Sequence, residues 1–193
     1  MKVIRAFIAV EIENPEVLRK LIRVRDAIAG VGGVKPVEDE NIHLTIRFLG
    51  EVSEGTISEM KRILAGLSSI ESFVMRVRGV GAFPSPSRPR VVWAGVAEGA
   101  DKLRMIRSIV DRAIVKHRLR DVKPDQHGFS PHITLARVKN PRAAAMLSQL
   151  LLQLQDEDFG TTPVTSIKLK RSILTPRGPI YHDIYEVELS RGE

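Results

Sequence analysis

This 193-residue chain predicts an α+β fold made of two similar halves, from three observations. The tetrapeptides His43-Leu44-Thr45-Ile46 and His132-Ile133-Thr134-Leu135 lie 89 residues apart, each in a segment with β-strand alternation. Asn14-Pro15, a helix N-cap followed by proline in the first turn, recurs as Asn140-Pro141. Both halves mix the two kinds of element, in the order β-α-β-β-α-β and then β-α-β-α-β-β.

The elements follow from local chemistry. Val3 to Val10 is β-branched and alternating, which predicts a strand. Behind the Asn14 cap, Val17, Leu18, Leu21, Ile22, Val24 and Ile28 form one apolar helical face that ends at Gly30. After Gly32-Gly33 comes a short segment around Val34 to Val37. Asn41 to Leu49 then alternates cleanly, with Asn41, His43, Thr45 and Arg47 expected on one face and Ile42, Leu44, Ile46 and Phe48 on the other. Ser53 caps a helix from Glu54 to Leu67, and Phe73 to Arg78 alternates as a strand. Phe83 to Arg90 holds three prolines and reads as an irregular linker or a loop bordering a site. Val91 to Val96 is a strand carrying Trp93, the single tryptophan, and Ala100 to Leu119 is a helix with a basic outer face. A loop from Arg120 to Gly128 leads into the strand Phe129 to Val138. A helix from Asn140 to Leu154 and strands Val164 to Leu174 and Ile184 to Leu189 complete the pattern.

Composition narrows the chemistry. The absence of cysteine excludes disulfides, thiolate metal sites and thiol nucleophiles. A net charge of +7 favours polyanions and phosphate-bearing ligands. No apolar run reaches the roughly 20 residues of a membrane span, so no membrane partner is expected. The start at Met1 to Arg5 lacks a small-residue cleavage site, and the expected location is cytoplasmic. No phosphate-loop or dinucleotide glycine pattern occurs, and no metal-ligand spacing accompanies the histidines, so neither cofactor nor metal is expected.

In a strand, His and Thr at i and i+2 share a face. Two such units in one cleft supply two imidazoles and two hydroxyls. An imidazole of pKa about 6.5 donates or accepts a proton near neutrality. In-line attack at phosphorus places the entering and leaving oxygens on opposite sides, where two symmetry-related strands would place His43 and His132. The hydroxyls of Thr45 and Thr134 can donate to non-bridging phosphate oxygens. Arg47 lies on the correct face of a regular first strand, whereas Arg137 needs a bend in the second; both rank behind the His-Thr quartet. Of the other histidines, His117 is expected on a solvated helix face, His127 in a loop that could border the site, and His182 in a turn.

The surrounding strings resemble the 2H phosphoesterase superfamily, and within it the RNA 2′,3′-cyclic phosphodiesterase (2′-5′ RNA ligase) branch. They are Arg5-Ala6-Phe7-Ile8-Ala9, His43 to Gly50, Phe83-Pro84 with Arg88 to Gly95, and Phe129 to Arg137. The resemblance implies a single bilobal domain over residues 1–193 with pseudo-two-fold lobes. Each lobe would be a mainly antiparallel sheet backed by helices, flanking a central basic groove. It implies metal-free hydrolysis of an RNA or nucleoside 2′,3′-cyclic phosphate to the 2′-phosphomonoester, with reversible 2′,5′ RNA ligation, as of tRNA halves, beside it. By the family's convention His43 is the proton donor and His132 the acceptor. Thr45, Thr134 and the residue matching Arg137 hold the phosphate, and the protein is expected to act as a monomer. For base stacking, Phe83 is the candidate, while Phe48 and Trp93 are expected in the core. The same residues also fit an RNA-end or tRNA-binding protein without turnover, or a phosphodiesterase acting on another cyclic or 2′,5′-linked ester.

Overall fold

Residues 2–192 are described by a computed structural model. Nine strands join one antiparallel sheet in the order β7-β4-β5-β6-β3-β1-β8-β9, with the short β2 also paired to β6. The strands are β1 (Val3–Glu11), β2 (Val34–Pro36), β3 (His43–Ser53), β4 (Phe73–Ser85), β5 (Arg88–Val96), β6 (His132–Val138), β7 (Asp158–Val164), β8 (Ser166–Thr175) and β9 (Gly178–Glu188). Four helices accompany them: α1 (Pro15–Ala29), α2 (Glu54–Ala65), α3 (Ala100–Lys116) and α4 (Ala144–Leu154).

The caps form as the sequence predicts. Asn14 accepts from the Glu16 amide at 3.0 Å, and Ser53 from the Thr56 amide at 3.1 Å. Asn140 does the same for Arg142, although its proline opens a 3-10 turn (Pro141–Ala143) before α4 begins. Asn14 has a second task, since its own amide donates to Thr162 Oγ1 and its side chain to the Thr161 carbonyl. The start of α1 is thereby pinned to β7.

The two halves of the chain are not the two halves of the sheet. The four strands on one side are β3, β1, β8 and β9, which pair the N-terminal segment with the C-terminal one. Those on the other side are β7, β4, β5 and β6. The helices cross over as well: α1 packs on β2, β6 and β7, whereas α3 packs on β3 and α2. Two separate sheets, one per half-chain, were the expectation; a single sheet forms because β3 and β6 pair at its centre.

That central join brings Leu44 opposite Ile133, both completely buried. An antiparallel pair carries a local two-fold axis, and here the axis passes between these two residues. Burying both beneath the helices turns their neighbours on either side, His43 and Thr45, His132 and Thr134, to the opposite face. Truncating such a residue to alanine costs about 2–5 kcal/mol, so the join is secured by core packing rather than by a long ladder.

Several boundaries differ from the sequence reading. The segment Phe83 to Arg90 is not a linker but the tip of the β4–β5 hairpin. Its prolines are tolerated because β7 pairs with β4 only as far as Arg78, leaving the tip with one free edge where a missing N–H costs no ladder bond. Strand β7 carries no strand pattern in the sequence because Gly160 and Pro163 interrupt what is an edge strand. Asn41 belongs to a 3-10 turn before β3, and His182 lies within β9 rather than in a turn. Among the described residues no helix is long and apolar enough to cross a membrane.

Candidate active site

The join sets His43 across from Thr134 and Thr45 across from His132, so the four predicted side chains form one compact group on one face of the sheet. All four are half-buried.

Each imidazole is oriented in the same way. His43 Nδ1 lies 2.7 Å from the Asn41 carbonyl, and His132 Nδ1 lies 2.7 Å from the Ser130 carbonyl. A carbonyl only accepts, so Nδ1 carries the proton in both rings and the neutral imidazole offers Nε2 as a base. His43 Nε2 receives the Thr45 hydroxyl at 2.7 Å. His132 Nε2 has no protein partner among the described residues.

The packing around the two rings is unlike. His43 stacks on Phe7 with centroids 5.1 Å apart, and Tyr181 meets both rings edge-on at 5.4 and 4.8 Å. His132 is met edge-on by Phe83 at 5.0 Å, and Phe83 leans on Trp93 at 5.3 Å. Burial drives the His43 pKa down to about 4; Lys170 adds to the drop, while the Asn41 carbonyl and Glu11 oppose it. Burial also lowers the His132 pKa, helped by the positive charge of Arg137.

The His43 shift makes stability pH-dependent. The folded ring binds its proton near pH 4 and the unfolded one near 6.5, so between these values the unfolded state holds more protons. The stabilisation is therefore present above pH 6.5 and lost as pH falls towards 4, by up to about 3 kcal/mol. Denaturant midpoints at pH 7 and 4.5 should fall more for the wild type than for His43→Asn.

A β-bulge at the same place in each motif decides where the arginines point. In the β1–β3 ladder Ala9 opposes Thr45 and Ile8 opposes Arg47, so Ile46 is the extra residue. In the β5–β6 ladder Trp93 opposes Thr134 and Val92 opposes Ala136, making Leu135 the extra one. Each bulge shifts the alternation by one position. Arg137 thus joins the face of His132, and its charge is felt by both His132 and Tyr181.

The corresponding shift overturns two expectations in the first motif. Arg47 turns away from the cleft and is 8% exposed, its Nε 3.0 Å from Asp111 and a terminal nitrogen 3.0 Å from the Lys123 carbonyl. Arg107 of α3 shares Asp111 at 2.8 Å and binds Asp125 at 2.5 Å. This network ties the loop before His132 to the helix layer. Phe48, expected in the core, takes the position equivalent to Arg137 and is 62% exposed. Trp93 likewise lies on the cleft face. Arg47→Ala should lower unfolding free energy by about 2 kcal/mol, discounted because Asp111 is partly exposed and keeps Arg107. The NMR titration of the His43 ring should not move in that variant.

The sequence reading missed Tyr181, and it placed Asn41 on the His43 face without a role. Buried Asn41 donates to the Pro179 carbonyl at 2.9 Å, holding the start of β9 against the residue that orients His43. This brings Tyr181, two residues further on, over the imidazole. Burial raises the Tyr181 pKa, so its hydroxyl stays protonated. The one signal was an aromatic residue near the C-terminal strand, legible only once β9 is known to pair with β8, and β8 with β1. His127 is exposed in the loop, and His117 faces Glu59 at 3.6 Å, on the helix layer.

Deeper along the His43 side, Lys170 is 8% exposed and bonds Glu11 at 2.5 Å and Asp183 at 3.2 Å, while Lys168 bonds the same two carboxylates. Burial alone would raise both carboxyl pKa values, but the lysine contacts outweigh it and hold them low. The four charges are mutually paired. No cluster of three or more His, Asp or Glu able to hold a metal occurs among the described residues.

A family model described as LigT like Phosphoesterase matches residues 10–93 and 95–181. The chain is 48% identical over 170 residues to an RNA 2′,3′-cyclic phosphodiesterase of Aeropyrum pernix, covering 88% of this chain and 94% of that protein. It is 37% identical to one of Archaeoglobus fulgidus, over 93% and 97% of the two chains. The crystal structure of TT0787 of Thermus thermophilus superposes with a TM-score of 0.81 at 30% identity, over 98% and 100% of the chains. E. coli LigT complexed with 3′-AMP shares the fold at a TM-score of 0.77 and 21% identity, over 98% and 100%.

Proposed function

The chain belongs to the LigT-like phosphoesterase family, and from that premise we propose that it hydrolyses RNA or nucleoside 2′,3′-cyclic phosphate to the 2′-phosphomonoester, using two histidines and no metal. The observation that carries this reading is the quartet about the Leu44–Ile133 axis, which offers an outward Nε2 and a hydroxyl from each motif.

In this mechanism water attacks phosphorus and gives its proton to His132 Nε2 as the new P–O bond forms. The P–O3′ bond breaks, and His43 Nε2–H protonates the departing O3′. Arg137, Thr45 and Thr134 hold the non-bridging oxygens, where charge accumulates. Both rings are neutral near pH 7 because burial disfavours the cation. The acid therefore takes its proton most readily once the phosphodiester anion is bound, which favours the charged form. The kcat/KM profile should accordingly peak on the acid side of pH 6.5, with the alkaline limb of kcat displaced upward relative to it. Coincident limbs for the two parameters would contradict this account. Run in the same direction with an RNA 5′-hydroxyl attacking in place of water, the same groups would form a 2′,5′ linkage as O3′ departs, and the reverse of that step would cleave it back to the cyclic phosphate.

The deciding experiment incubates the protein in EDTA with an RNA ending in 2′,3′-cyclic phosphate and identifies the product isomer. A 2′-phosphate is expected. A 3′-phosphate would reverse the assigned polarity, and unaltered substrate would overturn the reading.

A further inference from the structure

Beyond His132 the face of the sheet that carries the quartet continues into a cavity of about 310 Å³, lined chiefly by Arg78, Trp93, Gly95, Arg104, Ser130 and Gln155. Its size is at the lower end of small-molecule sites, about 300–1,000 Å³. It shares a wall with the catalytic group, since Ser130, which orients His132, also lines the cavity. Gly95 opposes His132 in the ladder, and Gly81 opposes Trp93. The six-membered ring of Trp93 occupies the space a side chain at Gly81 would need: a Cβ there would approach to 2.5 Å. Trp93, Phe83 and His132 thus form a continuous aromatic path from the cavity to the cleft.

The charge of the cavity separates it from the rest of the cleft. Arg78 and Arg104 are exposed, and among the described residues no carboxylate lines the cavity; Asp158, opposite Arg78 in the β4–β7 ladder, bonds Arg76 and lies outside the lining. The lysines near His43 are spent on Glu11 and Asp183. A second cavity, of about 260 Å³, places Glu51 among its cations, opposite Arg5 in the ladder. A polyanion whose end reacts at the histidines therefore finds, on the His132 flank, two guanidinium groups in a cavity lined by no carboxylate.

We propose that the Arg78–Trp93–Arg104 cavity is the subsite for the RNA nucleotide adjoining the one that carries the cyclic phosphate. Arg78 and Arg104 bind the phosphodiester between the two nucleotides, and the neighbouring sugar and base lie against Trp93. The inference rests on the cyclic-phosphate reading of the histidine pair. It assigns a specificity role: the cavity distinguishes an RNA end from a free cyclic nucleotide and takes no part in the chemistry.

The test compares a nucleoside 2′,3′-cyclic phosphate with a trinucleotide ending in 2′,3′-cyclic phosphate, for the wild type, R78A, R104A, R78A/R104A and R78K/R104K. Trinucleotide KM should rise about tenfold for each arginine removed, consistent with loss of a charge-assisted hydrogen bond. Parameters for the mononucleotide should not change, and the lysine pair should recover part of the loss. The slope of log KM for the trinucleotide against log salt should flatten by about 0.7 per arginine, the single-strand value. Equal losses on both substrates, or none on the trinucleotide, would overturn the subsite. A parallel calorimetric titration uses the trinucleotide and the mononucleotide ending in 2′-phosphate. If the wild type turns over neither cyclic phosphate, the functional reading fails by itself and this titration decides the subsite. Weaker binding of R78A/R104A to the trinucleotide alone supports it, and equal affinities reject it.

Discussion

His43→Ala and His132→Ala are each expected to lower kcat on a 2′,3′-cyclic phosphate by about 10²–10⁴-fold, the range for a positioned proton-transfer group. Both variants should remain folded. His132 contributes one hydrogen bond, to the Ser130 carbonyl, and lies half-exposed at the start of β6. His43 contributes more to packing, through Phe7 and Tyr181, so His43→Asn is the better control for its stacked position. In the proposed mechanism the two rings act on one displacement, so the double variant should be far less than multiplicatively slower than either single one. Pre-steady-state and steady-state rates on one substrate measure this directly. Wild-type turnover in either alanine variant would remove two-histidine catalysis from consideration.

Arg137→Ala should lower kcat/KM by about 10²–10³-fold, the loss seen when a donor aimed at developing charge is removed. The bulge at Leu135 turns Arg137 to the face of His132. Two readouts separate this role from a structural one. Arg137 lowers the His132 pKa, so its removal should raise that pKa in an NMR titration, moving the His132 limb of the kcat/KM profile towards higher pH. Arg137→Lys should restore the charge effect on His132 while recovering only part of the rate, since an ammonium lacks the planar fork that engages two phosphate oxygens. An alanine variant with unchanged kcat/KM would place phosphate binding elsewhere, with Thr45 and Thr134.

The helices and most strands were legible because their signals are local. The Asn14 and Ser53 caps, the apolar spacing of α1 and α2, and the alternation around His43 and His132 each span a few residues. Local signals also failed in identifiable places. Pro84 and Pro89 read as a break although they are paired in a hairpin, because the free edge that tolerates them is a property of the sheet. Gly160 and Pro163 concealed β7 for the same reason.

The candidate site divides along the same line. The repeated His-x-Thr pattern determined by itself that two imidazoles and two hydroxyls share faces of strands, because strand periodicity needs no knowledge of the partner strand. The absence of cysteine and the basic excess were likewise properties of the chain alone. Only the tertiary structure decided which other groups meet them. One extra residue in each ladder exchanged the faces of Arg47 and Phe48 and brought Arg137 to the cleft. The crossing of β8 and β9 to the side of β1 carried Tyr181 to His43. A bulge is defined by the register between two strands, and a crossing by which edge a distant strand finds. Both depend on pairing between residues far apart in the chain, which periodicity along one strand does not encode.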